Sequence, residues 1–449
     1  MKRSAWRYLW KSEDIRKKLI ITVLLLVIYR IAANIPVPGI DRTVLAQLAA
    51  GTSSASNLFN LLDLLSGGTI SNFSILAMGV YPYITAQIII QLLVPIIPAL
   101  ERRMKADPRQ GRVLMEKWTM YLTIPMALLS AVGQVNIFSQ MAGSNSSILT
   151  TPFGLTGASL LPTLTLLFSM LAGTMFGIWL GQLISEFGIP NQGLSLIIFA
   201  GIVAKIPSQM VAMLSDWQTG WWKFLMILVI LVLIIFAIVF VQQGRRNVPV
   251  LFPGRRMGNR MSMPVRSNLP LMVNMAGMIP LIFAQTILSF PALVASYFTR
   301  AETAWWANFN QGVYDLFSST TGWFYPTLYF LMVVGFTFFY TDVLFQQQNY
   351  GDTLKKQGAQ IPGVVRGAPT QKYLTKVQRR ITFPGAFFLG FVAVLPNVLS
   401  ALIPQLGQSS AFVISAAGLL IVVGVVRDTF TIIETELKIH GYDESIIKG

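Results

Sequence analysis

Side chains able to do covalent or proton-transfer chemistry are scarce in this chain. Cysteine is absent and His440 is the single histidine, which excludes thiolate nucleophiles, disulfides, Cys/His metal sets and a histidine dyad. No GxSxG, HExxH or GxxxxGK(S/T) motif occurs, so the chain is not expected to be an enzyme. Ion-coupled carriers hold Asp, Glu or His inside the bilayer to bind substrate or relay protons. Here Glu186 and Asp342 fall at the ends of apolar stretches, and only Arg30 and Lys205 are internal charges. Arg30 is read as snorkelling to the outer interface; Lys205, before Ile206-Pro207, is read as structural. What does recur at fixed spacing is of another kind. Gly79-Val80-Tyr81-Pro82-Tyr83-Ile84-Thr85-Ala86-Gln87 and Gly277-Met278-Ile279-Pro280-Leu281-Ile282-Phe283-Ala284-Gln285 share Gly, Pro, Ile, Ala and Gln at identical offsets. Such residues bend and line helices, which suits passage of something through the protein, with energy taken from a partner or a gradient.

The elements that position them are apolar spans. Of 449 residues, 54% are hydrophobic and 12% charged, where a soluble domain has about 25% charged. Hydropathy predicts ten helices at roughly 19–36, 75–97, 117–137, 159–184, 193–213, 221–241, 270–297, 324–345, 383–403 and 410–427, each near the length that crosses about 30 Å of hydrocarbon. The runs are continuously apolar rather than alternating, which favours helices over a barrel. The first span follows a long basic flank and contains Arg30, so an uncleaved helix is read there rather than a secretory signal.

Basic residues alternate between connections. Seven lie at the N-terminus, six in 98–117, six in 242–269, seven in 346–382, and Arg427, Lys438 and Lys448 near the end; the intervening loops hold Arg42, Lys223 and Arg300. Positive loops stay inside, so both termini are expected in the cytoplasm and the net charge of +16 belongs to one face. The expected division is a cytoplasmic 1–18, a first half 19–213, a second half 214–427 and a cytoplasmic tail 428–449. The recurring nonapeptides occupy the second span of each five-span half. Five is odd, so the halves enter the membrane inverted, with a working site at their interface.

Two stretches carry more than a connection requires. Residues 57–74 are apolar yet Gly-broken and too short to span; an interfacial helix and a re-entrant plug both fit. Loops 242–269 and 346–382 are long, basic and rich in Gly and Pro. They set topology and meet anionic lipid headgroups, or they dock an acidic or nucleic-acid partner such as ribosomal RNA.

Seven ordered blocks resemble the SecY family of protein-conducting channel subunits over about Trp10 to Leu437. They are Ile35-Pro36-Val37-Pro38-Gly39, Asp63-Leu64-Leu65-Ser66-Gly67-Gly68, Gly173-Thr174-Met175-Phe176-Gly177-Ile178-Trp179-Leu180-Gly181, Ser195-Leu196-Ile197-Ile198-Phe199-Ala200-Gly201-Ile202, Val273-Asn274-Met275-Ala276-Gly277-Met278-Ile279-Pro280, Phe338-Phe339-Tyr340-Thr341 and Leu354-Lys355-Lys356-Gln357-Gly358. The resemblance implies an all-α polytopic membrane protein: ten transmembrane helices in two five-helix inverted halves forming an hourglass channel. It implies an apolar pore ring at Ile84, Ile88, Leu194, Ile198, Ile282 and Ile421, where branched aliphatics dewet a constriction without bonding a passing peptide. It implies a plug at 57–74, including Asn60, Asp63, Ser66, Gly67 and Gly68. It also implies a lateral gate between helices 2/3 and 7/8 with Asn274 and Gln87, and docking by Arg245, Arg246, Lys355, Lys356 and Arg366.

The function implied is passive conduction of unfolded polypeptides across a bacterial plasma membrane, with sideways release of membrane segments into lipid. The partners implied are SecE-like and SecG-like small subunits, the SecA motor ATPase, the ribosome, secretory preproteins and nascent membrane proteins; no cofactor is expected. A small-solute secondary transporter and a specialised SecY paralogue are the alternatives. The sequence departs from the family pattern in places. Gly363-Val364-Val365-Arg366-Gly367 stands for the usual Gly-Ile-Arg-Pro-Gly, moving the arginine by one position, and Gln182, Met120 and Met272 stand where Glu, Arg and Lys are usual.

Overall fold

The computed structural model describes residues 12–40, 73–97, 108–141, 159–190, 192–214, 217–253, 256–257, 260–261, 265–298, 308–310, 312–313, 316–317, 323–402 and 416–439. Long helices dominate them. In chain order they are α1 (Glu13–Ala32), α2 (Tyr81–Ile96), α3 (Pro108–Met141), α4 (Leu160–Phe187), α5 (Gly193–Leu214), α6 (Trp217–Gln243), α7 (Ile279–Phe298), α8 (Phe324–Gln348), the short α9 (Tyr350–Lys356), α10 (Ala368–Leu402) and α11 (Ala416–Ile439). Val113–Asn136, Leu160–Phe187 and Phe324–Lys356 are long and apolar enough to cross a membrane by length and composition; Tyr81–Val94, Gly193–Ala204, Leu228–Gln243 and Ile279–Leu288 are shorter apolar stretches, all among the described residues.

Local chemistry explains the helix ends. Glu13 and Asp14 occupy the first turn of α1 and Arg30 its last, each matched to the helix dipole. Pro108 opens α3, where its missing N–H costs nothing. Asn349 closes α8 in the left-handed region, at φ 45°, a conformation Asn tolerates better than most residues.

Strands and turns account for two of the departures from the hydropathy reading. The all-α expectation gives way at the 242–269 connection, which folds as an antiparallel hairpin of β1 (Arg245–Phe252) and β4 (Val265–Met272), with Arg245 opposite Met272 and Phe252 opposite Val265. Between them β2 (Arg256–Met257) pairs with β3 (Arg260–Met261). Val248 and Val250 point inward while Arg245, Arg246, Asn247 and Pro249 face out, the period-two pattern of a half-buried strand. Pro249 and Pro270 are tolerated because in a two-stranded ribbon every strand is an edge. The second departure concerns the starts of α2 and α7, at Tyr81 and Ile279 rather than 75 and 270, because both are preceded by turns.

Packing joins the two sequence halves along two seams. Helix α7 lies against α2 and α3, and α5 lies against α11. Lys18 of α1 also pairs with Glu436 of α11. A single apolar core runs through α1, α2, α4–α8, α10 and α11. A second, separate core of Val248, Val250, Leu271, Phe345, Leu354, Ile361, Leu374, Val377 and Ile381 unites the hairpin with α9 and the ends of α8 and α10.

Candidate functional site

The repeated nonapeptides become repeated structure. Gly79 and Gly277 both adopt positive φ, 51° and 64°, a region that a Cβ penalises. Around Gly277 there is open space, so its backbone conformation, not crowding, is what calls for glycine. Pro82 and Pro280 are the second residues of α2 and α7, where proline's fixed φ pre-organises a helix start. Tyr81 N–H donates to the Met78 carbonyl at 3.2 Å and Leu281 N–H to the Met278 carbonyl at 3.1 Å. One position of the repeat makes the same bond in each half: Ile84 N–H donates to the Val80 carbonyl and Ile282 N–H to the Met278 carbonyl.

The expected ring residues all belong to the apolar core of the bundle. Ile84 and Ile88 from α2, Ile198 from α5, Ile282 from α7 and Ile421 from α11 are all buried in one cluster, with Leu194 of α5 packed against it. Ile84 and Ile88 are one turn apart, as are Leu194 and Ile198, so each pair shares a face. Helix α5 can bring its pair in because its start is nearly bare: a Cβ on Gly193 would lie 1.8 Å from the Gly181 carbonyl oxygen of α4. Gly193 N–H also donates to Ser185 Oγ at 3.1 Å. The resulting cluster offers dispersion contacts and no fixed hydrogen bonds.

Asn274 lies in the turn that leads into α7, and Gln87 lies on α2. Asn274 is buried; its Nδ2 donates to the Gly277 carbonyl at 3.0 Å, and its Oδ1 has no partner among the described residues. Gln87 is half-buried on α2. Further polar atoms on α2, α3, α7 and α8 share the condition of Asn274 Oδ1, among them Gln91 Oε1 on α2, Gln134 Oε1 on α3 and the Tyr329 hydroxyl on α8. The sequence reading did not single out these three; the available signal was an amide or phenol inside an apolar run. A desolvated oxygen without a donor costs about 1–3 kcal/mol.

The plug residues Asn60, Asp63, Ser66, Gly67 and Gly68 lie outside the described residues. Only the end of the 57–74 segment is described. Val37 N–H donates to the Phe73 carbonyl at 3.1 Å and Ile75 N–H to the Ile35 carbonyl at 2.9 Å, which ties residues 73–75 to the exit of α1.

The basic candidates occupy one platform. Arg245 and Arg246 are exposed at the start of β1, and Lys355 and Lys356 are exposed in the last turn of α9. Arg366 is exposed, and its Nη2 donates to Gln360 Oε1 at 3.3 Å. Gln360 in turn exchanges both backbone hydrogen bonds with Leu251 of β1, at 2.8 and 2.9 Å. The two basic loops are therefore zipped together. Tyr350 packs on Phe345 with ring centroids 5.1 Å apart. Arg379 of α10 grips Asp342 of α8 through Nε and Nη2, with contacts of 2.7–3.1 Å.

Known proteins share this sequence and this fold. A family model for SecY matches residues 74–430. A protein translocase subunit SecY of Streptomyces scabiei is 36% identical over 448 residues, covering 98% of this chain and 99% of that protein. The one from Escherichia coli K12 is 34% identical over 439 residues, covering 97% and 95%. A solved structure of a protein-conducting channel superposes with a TM-score of 0.62 at 18% identity over 97% of this chain and 98% of the other. Another, from work on how the plug domain of SecY stabilises the closed channel, superposes with a TM-score of 0.58 at 16% identity over the same shares. With family-wide sequence agreement along nearly its whole length and a mostly helical fold like that of the channel, this chain belongs to the SecY family.

Proposed function

We propose that this chain is the pore-forming subunit of a bacterial protein translocase, a passive channel that conducts unfolded polypeptides across the plasma membrane and releases transmembrane segments sideways into lipid. The observation that carries this reading is the duplicated Gly-x-x-Pro helix entry, with Ile84 and Ile282, from opposite halves of the sequence, at matching positions and both buried in one apolar core. Such a cluster seals against water and ions while making no bond that a passing chain would have to break.

In this reading α1–α8, α10 and α11 are the ten transmembrane helices of an hourglass with both termini in the cytoplasm. Ile84, Ile88, Leu194, Ile198, Ile282 and Ile421 form its waist, and residues 57–74 close the outer funnel. The seam of α2 and α3 with α7 and α8 opens towards lipid, with Asn274 and Gln87 as its polar members. The hairpin and the α9–α10 platform, through Arg245, Arg246, Lys355, Lys356 and Arg366, receive SecA or a ribosome. SecE-like and SecG-like subunits complete the complex, and the free energy comes from the partner's nucleotide hydrolysis or from chain elongation.

The test uses proteoliposomes holding the chain with a SecE-like subunit and SecA, a stalled secretory precursor and a photo-crosslinker at Ile282. Crosslinks to precursor that require SecA and ATP are expected. Their absence beside an active partner set would sink the reading.

A further inference from the structure

Resting on the reading that the chain is embedded in a membrane with its platform at the cytoplasmic surface, we propose that a groove at the α9–α10 junction binds an anionic phospholipid. The phosphate headgroup is held by Lys372, Lys376 and Arg380, and an acyl chain lies along α10. The groove encloses about 690 Å³ and is lined by these three cations together with Arg379, Asn349 and Asp352, among others. Lys372, Lys376, Arg379 and Arg380 recur at i, i+4, i+7 and i+8, one face of a helix, and all are exposed.

The charges in the groove do not cancel. Among the described residues, Arg379 is the one of the four with a carboxylate partner, Asp342 of α8, at 2.7 Å. Asp352, the acid in the lining, accepts a hydrogen bond from Asn349 Nδ2 at 3.2 Å. Lys372, Lys376 and Arg380 are left to attract an anion.

What selects a lipid over a soluble anion is the continuation of the same face. Phe383, Phe387 and Phe391 follow at four-residue intervals, 56%, 43% and 58% exposed. The wall is braced from behind: Phe383 and Phe387 are 4.7 Å apart, Phe383 packs on Phe338 and Phe387 on Phe330, both of α8. From Arg380 to Phe391 a helix rises about 16 Å, roughly half of the hydrocarbon thickness and so one leaflet's acyl chain. Cations at the headgroup level above an apolar strip match the two ends of a phospholipid.

The experiment is native mass spectrometry of the full-length chain in neutral detergent, titrated separately with phosphatidylglycerol, phosphatidylcholine and inorganic phosphate. The wild type is expected to retain phosphatidylglycerol in preference to phosphatidylcholine. The K376Q change should weaken that retention about fivefold, and K372Q/K376Q/R380Q on the order of a hundredfold, from the typical worth of a cation near anionic lipid. Lys376 is exposed, so K376Q keeps the test valid even where the triple variant folds poorly. Undiminished retention by K376Q and the triple variant overturns the proposal. So does equal retention of inorganic phosphate by the wild type, which would make this a free-anion site. The readout involves no translocation, so its failure leaves the channel reading standing, and a failed precursor crosslink leaves the lipid site standing.

Discussion

The aliphatic cluster around Ile282 and the basic platform around Leu374 are both buried cores, yet they are held differently. The platform is fastened by directional bonds: the β1–β4 ladder, the paired hydrogen bonds between Leu251 and Gln360, and the Arg379–Asp342 grip. The cluster is held by dispersion and apolar burial, and α2, α3, α8 and the turn before α7 carry oxygens without a partner among the described residues, on Gln91, Gln134, Tyr329 and Asn274. Directional bonds make a surface rigid, which suits a landing site. Contacts without direction part and re-form at low cost, which suits a closure that must open.

Substitutions test that contrast. The largest effect is expected in the platform. Leu374 is fully buried, and Leu374→Ala should cost about 3 kcal/mol and loosen the hairpin, seen as new protease cleavage within 245–272 while the helical content by circular dichroism holds. If cleavage stays unchanged, the platform is not one packed unit.

Next comes Ile282→Asn at the cluster. Desolvating an amide there should cost about 2 kcal/mol, lower the melting temperature in detergent, and make liposomes leak iodide that the wild type retains. A tight seal in that variant would remove Ile282 from the constriction. Gln91→Leu moves in the opposite direction. Deleting a desolvated oxygen should stabilise by about 1 kcal/mol, so the melting temperature rises while precursor transport slows because the seam opens less readily. Faster transport would contradict the role assigned to unpartnered groups. The smallest effect on stability belongs to Arg366→Ala. An exposed side chain bonded to Gln360 contributes about 0.5 kcal/mol or less, so melting should be unchanged while SecA affinity falls at low salt and converges with the wild type at high salt. Unaltered SecA binding at low salt would exclude Arg366 from docking.

Much of the fold was legible because burial of a helix in hydrocarbon is a property of its own composition. The runs beginning near 159, 193, 221 and 324 are helices within a few residues of the hydropathy reading. Starts set by turns or strands were less legible, as at Ile279, where the apolar run 270–278 is consumed by the end of β4 and the turn at Gly277. The hairpin itself was hidden because only Val248 and Val250 alternate cleanly, between a proline and polar neighbours. Helix α10 begins at Ala368 rather than 383 because its first turns are charged and invisible to a hydropathy window, while Leu374 and Val377 bury against the platform.

Residue order alone specifies the number and order of apolar segments, the duplicated Gly and Pro positions, the bias of positive charge between connections, and the absence of cysteine and of a second histidine. Each is a local property of residue type and spacing. Packing between helices is what places Ile84, Ile88, Ile198, Ile282 and Ile421 in one apolar core, joins the two basic loops through Gln360 and Leu251, and leaves Gln91 and Gln134 with oxygens that have no partner among the described residues. Those outcomes depend on which helix faces which, and spacing along one helix fixes a face without naming its neighbour.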